Sequence, residues 1–98
     1  MENIDKVTQE KIINLILALI PEVKIYLFGS RARGTHRQWS DIDLALDAGV
    51  ILPNVKISEV SDVLAATNMP YKVDVLDFQN ISPEIREIIK KDMQVWKS

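Results

Sequence analysis

The chain has 98 residues, 47% apolar and 27% charged, with a net charge of −2. At that length it buries about 60 to 70% of the surface it would expose unfolded, enough for one modest core and one domain over residues 1–98. The slight acidity argues against a general binder of nucleic-acid backbones, and the absence of cysteine excludes a disulfide framework or a thiolate metal site.

The opening MENIDK has no basic segment followed by an apolar one. The longest apolar run, LILALI at Leu15 to Ile20, is far below the ~20 residues of a membrane span. Both features suggest a soluble, cytoplasmic protein with no membrane partner. A first helix is predicted from about Asp5 to Leu19, because Ile12, Ile13, Ile16, Leu17 and Ile20 recur at helical spacing and Pro21 stops it. Lys24 to Phe28 is short, β-branched and aromatic, and reads as a buried strand closed by Gly29. Ser30 is placed to cap a short helical turn that Gly34 ends. Asp41 to Leu46 reads as the second strand. After a loop containing Gly49 and Pro53, the stripe of Val55, Val60, Val63 and Leu64 suits a third helix ending near Asn68. Tyr71 to Leu76 is the third strand. Ser82-Pro83 then starts a last helix, with Ser as N-cap and Pro at its first position, whose Ile85, Ile88, Ile89 and Trp96 are expected to face the core. The order α-β-α-β-α-β-α predicts an α+β fold, two layers with a small mixed sheet of three or slightly more strands and about four helices.

The chemistry concentrates in LFGSRARGTHRQWSDIDLALD, Leu27 to Asp47. Strand side chains alternate faces, so Asp41 and Asp43 point the same way, roughly 6.5 to 7 Å apart at ~3.3 Å per residue. Such a pair alone is more often two solvated acids. Held unsolvated, it asks for a cation, and oxygen-only ligands favour Mg²⁺ or Mn²⁺. Asp74 in YKVDVLD can join them if its strand pairs beside theirs in register, whereas Asp77 has the wrong parity. Gly29-Ser30 offers close backbone approach and a hydroxyl to a phosphate, and the turn after it offers helix amides. Arg31, Arg33 and Arg37 can neutralise further phosphate charge or simply be a solvated loop. Asp47 reads as a turn residue, His36 as a surface histidine, and Lys90-Lys91 as the basic end of the last helix. Trp39 has no assigned role. Neither a P-loop nor a dinucleotide fingerprint is present.

Gly29-Ser30, ten residues, then Asp41-Ile42-Asp43 resembles the Gly-Ser-x10-Asp-x-Asp signature of the DNA polymerase β-like nucleotidyltransferases. GSRARG, SDIDLAL and the later VDVLD resemble more narrowly the minimal nucleotidyltransferase group. The resemblance implies the nucleotidyltransferase fold, two Mg²⁺ ions on Asp41, Asp43 and Asp74, Asp74 as candidate base, and a triphosphate held by Gly29 and Ser30. It also implies a reaction: members of that group pair with a HEPN-domain toxin as its antitoxin and add AMP from ATP to a tyrosine of the toxin. Two other functions remain open, a non-catalytic module that neutralises its partner by binding and a transferase acting on a small molecule. Homo-oligomerisation is left open as well.

Overall fold

A computed structural model describes residues 4–35, 37 and 40–98; His36 and Trp39 lie outside the described residues. Helix α1 (Lys6–Leu19) is capped by Asp5, whose carboxylate accepts from the Thr8 amide at 3.1 Å and from its hydroxyl at 2.7 Å. Strand β1 (Lys24–Phe28) leads into a single turn of helix, α2 (Ser30–Arg33), and then β2 (Ile42–Asp47), α3 (Asn54–Ala66) and β3 (Val73–Asp77) follow. A 3-10 turn (Phe78–Asn80), α4 (Pro83–Asp92) and β4 (Gln94–Lys97) complete the order. Among the described residues no helix is long and apolar enough to cross a membrane.

The sheet runs β3-β2-β1-β4, with β1 antiparallel to both neighbours and β2 parallel to β3. This is an α+β fold with a mixed four-stranded sheet. The fourth strand corrects the expected end of the chain. Helix α4 stops at Asp92, Met93 is extended, and Trp96 lies half-buried in an edge strand rather than on a helix. Ile89 does face the core, but Ile85 and Ile88 are 48% and 62% exposed. Ser82 caps α4 through the Ile85 amide, with Pro83 at the first position, as the sequence suggests.

One face of the sheet carries the main core. Ile25 and Leu27 of β1, Ile42, Leu44 and Leu46 of β2 and Val73 of β3 pack against Ile12 and Ile16 of α1 and Val60 and Leu64 of α3. Fully burying each such side chain contributes about 1.5 to 3 kcal/mol. A one-residue slip of β2 would expel three of them and drive Asp43 and Asp47 inward, so the core on one face fixes where the acids stand on the other. That second face is apolar only towards one end, where Ala45 is small enough for Phe78 and Ile89 to close over it, with Tyr26, Phe28 and Leu76 alongside.

Candidate active site

The β1–β2–β3 register lines up Phe28 with Asp43 and Asp43 with Asp74, and the next row is Tyr26, Ala45 and Leu76. Adjacent strands lie about 4.8 Å apart, so the carboxylates of Asp43 and Asp74 are lateral neighbours on one face. The predicted in-register pairing of Asp74 with the strand of Asp43 is therefore what the chain adopts. Asp41 stands exposed one residue ahead of β2, and its charge acts on Asp43. Burial is the main reason the Asp43 carboxyl lies above the ordinary aspartate range. The charges of Asp74 and then Asp41 push it the same way, while Arg33 opposes them.

The Gly-Ser turn leaves β1 one residue after Phe28 and so arrives at the row of acids. Gly29 has φ 76° and ψ −157°, a region essentially restricted to glycine. A Cβ there would fall onto the Asp43 carboxylate oxygen and lie 3.2 Å from its carboxyl carbon. Gly29, not Ser30, is the N-cap of α2, and Ser30 is the first helical residue. The Ser30 side chain is thus not the helix cap that its position in the sequence suggests.

The arginines separate. Arg33 is exposed and near enough to stabilise ionised Asp43. Arg37 is also exposed and belongs to a turn in which its amide donates to the Ser40 hydroxyl at 2.7 Å. Arg31 is 2% exposed, so the expected phosphate contact from it is corrected: its Nε donates to the Ser40 carbonyl at 3.0 Å, and its guanidinium lies 4.7 Å from the Tyr71 ring centroid. At 100° per residue, Arg31 and Arg33 are about 200° apart around one helical turn, so one points inward when the other points out. That spacing was the available signal, but it does not say which.

Two further acids are structural. Asp47 accepts from the Gly49 amide and the Gln79 side chain, both at 2.9 Å, as a turn residue should. Asp77 is buried and accepts from the amides of Leu52 at 2.7 Å and Gln79 at 3.0 Å, tying the loop before α3 to the end of β3. Lys72, absent from the sequence expectations, places its ammonium 3.7 Å from Asp74. Both groups are about half exposed or more, so the pair is worth little in stability.

No group of three Asp, Glu, His or Cys residues among those described encloses a metal position. The arrangement is an in-register pair with Asp41 at its entrance, open to one side. Its chemistry still suits a hard divalent cation, because the donors are all oxygen and Asp43 is raised by burial and then by like charges, which a cation would offset.

Residues 10–98 match the family Polymerase beta, Nucleotidyltransferase. The chain is 33% identical over 77 residues to a protein of Haemophilus influenzae described as a probable protein adenylyltransferase MntA, covering 79% of this chain and 68% of that one. Among solved structures, it resembles a chain of a toxin-antitoxin crystal structure with AMP-PNP, with a TM-score of 0.77 and 32% identity over 90% of this chain and 71% of that one. It also resembles a chain in the structure of a tri-AMPylated Shewanella oneidensis HEPN toxin in complex with an MNT antitoxin. There the TM-score is 0.74 and the identity 28%, over 93% of this chain and 70% of that one.

Proposed function

The chain belongs to the polymerase β nucleotidyltransferase family, and from that premise we propose that it is a protein adenylyltransferase. It transfers AMP from ATP to a hydroxyl, that of a tyrosine on a HEPN-type toxin, and thereby acts as the antitoxin. The observation that carries the reading is the row Asp43–Asp74 with Gly29 pressed against Asp43, which brings a phosphate-binding turn and two carboxylates to one place. The similar chains with AMP-PNP and with an AMPylated toxin support the choice of nucleotide and acceptor.

Asp41, Asp43 and Asp74 are the residues that would hold Mg²⁺, or Mn²⁺ in its place, as two ions. When bound, the ions supply positive charge against the triphosphate and the departing pyrophosphate. Gly29 lets the backbone of its turn approach the phosphates, Ser30 adds a hydroxyl donor, and exposed Arg33 offsets their charge. Asp74, at the open side of the row, accepts the proton of the attacking hydroxyl. The hydroxyl oxygen bonds to the α-phosphorus as the bond from that phosphorus to the bridging oxygen breaks, and pyrophosphate leaves with the bonding pair.

To test this, the protein is recovered with its bound partner, incubated with ATP and Mg²⁺, and every component is weighed intact by mass spectrometry. We expect one or more AMP units on the partner, absent when Asp41→Asn replaces the wild type. A partner that stays bound and inactive at unchanged mass would instead establish neutralisation by masking.

A further inference from the structure

We propose that Arg31 is a positioning residue that braces the metal-binding carboxylates, a role that rests on the reading of the site given above. An arginine almost wholly out of water costs several kcal/mol unless its donors are satisfied. Arg31 has only 2% of its surface exposed. Its Nε–H goes to the Ser40 carbonyl at 3.0 Å, on the peptide bond that leads directly into Asp41. The guanidinium carbon lies over the Tyr71 ring, 4.7 Å from its centroid, and Tyr71 is three residues ahead of Asp74. Arg31 itself follows Gly29-Ser30. One side chain therefore joins the phosphate turn, the residue before Asp41 and the entrance to the strand that carries Asp74.

The brace acts where the sheet gives least help. Asp41 lies outside the ladder of β2, and Asp74 is only the second residue of an edge strand. The Ile42 amide donates to the Lys72 carbonyl at 2.9 Å, which links the two segments through the backbone but leaves the approach to Asp41 to be set by Ser40. At Asp43 the charge that counters the acids is that of Arg33, whereas Arg31 fixes geometry through its contacts with Ser40 and Tyr71. Lysine cannot replace it: an ammonium has neither the planar fork that donates in a fixed direction nor the face that stacks on a ring.

The test measures Mg²⁺ titrations of the melting temperature, and kcat and KM for ATP with the whole partner protein, in Arg31→Lys, Arg31→Met, Tyr71→Leu and Tyr71→Phe. Loss of a partner that orients metal ligands typically weakens metal binding or activity about 10- to 100-fold. The first three variants should raise the Mg²⁺ concentration for half the melting shift by about that factor, and lower kcat more than they change KM. Tyr71→Phe, which keeps the ring, should lie closer to wild type than Tyr71→Leu in both readouts. Should Arg31→Lys be folded with wild-type Mg²⁺ half-saturation and kcat, Arg31 is only a core residue and the proposal is overturned. A wild-type protein that shows no Mg²⁺ response removes the metal site itself, and the brace with it.

Discussion

Replacing Gly29 with alanine tests whether the Gly-Ser turn and the acids are sterically one unit, and the protein carries its own control. Gly29 and Gly34 share φ 76°, but they differ in what surrounds them. Gly34 has ψ 14°, an ordinary left-handed cap with nothing among the described residues within 4 Å of an added Cβ. Gly34→Ala should cost only the left-handed backbone penalty of about 1 to 2 kcal/mol, less about 0.4 to 1 kcal/mol recovered from the stiffer unfolded chain. Gly29→Ala meets a less tolerant backbone region, about 1 to 3 kcal/mol. It must also push the Asp43 carboxylate out of its rotamer, adding about 0.5 to 1.5 kcal/mol. After the same unfolded-chain correction the net is roughly 0.5 to 4 kcal/mol, and each kcal/mol lowers the melting temperature of a domain this size by about 4 to 8 °C. Circular dichroism melts of both variants, with AMP transfer measured well below each midpoint, make the comparison. We expect Gly29→Ala to melt lower than Gly34→Ala and to lose transfer while folded, because the displaced carboxylate is the one flanked by Asp41 and Asp74. Equal melting temperatures with full activity in Gly29→Ala would refute the close packing of turn and acid.

Asp43→Asn should stabilise the metal-free protein at neutral pH while abolishing transfer. The folded-state pKa of Asp43 lies above its unfolded value, through burial and then the charges of Asp74 and Asp41. The wild type is therefore favoured while Asp43 is protonated and loses that increment as pH rises through the raised folded pKa; the variant, which has no proton to lose, should show a flatter melting-temperature profile over that window. Mg²⁺ should raise the wild-type melting temperature by binding only the folded state, and Asp74→Asn should shrink that shift. A wild-type pH profile identical to that of Asp43→Asn would sink the repulsion argument.

Local pattern was enough to place β1 at its observed bounds and α1 to within a residue, because periodic isoleucines and a short β-branched run bounded by Pro21 and Gly29 leave little choice. Parity also separated Asp43 and Asp74, which share a row, from Asp77, which does not, while Asp41 stands just ahead of the ladder. What it could not supply was partner choice between strands. The register of β2 with β3 is decided by Ile42, Leu44, Leu46 and Val73 packing on α1 and α3. β4 was invisible for a related reason. Gln94 to Lys97 is four residues after a helix with no turn signal, and it becomes a strand only because the β1 edge is there to pair with. The roles of Arg31 and Arg33 divided on the same ground, since burial under Tyr71 is a tertiary fact.

These observations explain why a domain of this size tolerates its own site. Asp43 is half-buried beside one acid and near another, a cost that a 98-residue core must carry from its other face. The two faces of β2 divide that work, with the fully buried Ile42, Leu44 and Leu46 on one side and Asp43 opposite them. Moving the acid away would require moving the core, so repulsion that would otherwise splay the carboxylates is held in place. Whatever positive charge binds there is met by ligands already side by side. Binding of a cation there would stabilise the fold and complete the site in the same step. It follows that substitutions which loosen the α1 and α3 layer should weaken cation binding without touching a ligand. The strongest effects are expected at Leu44, which is fully buried, follows Asp43 directly in β2 and pairs with Val75, the residue after Asp74.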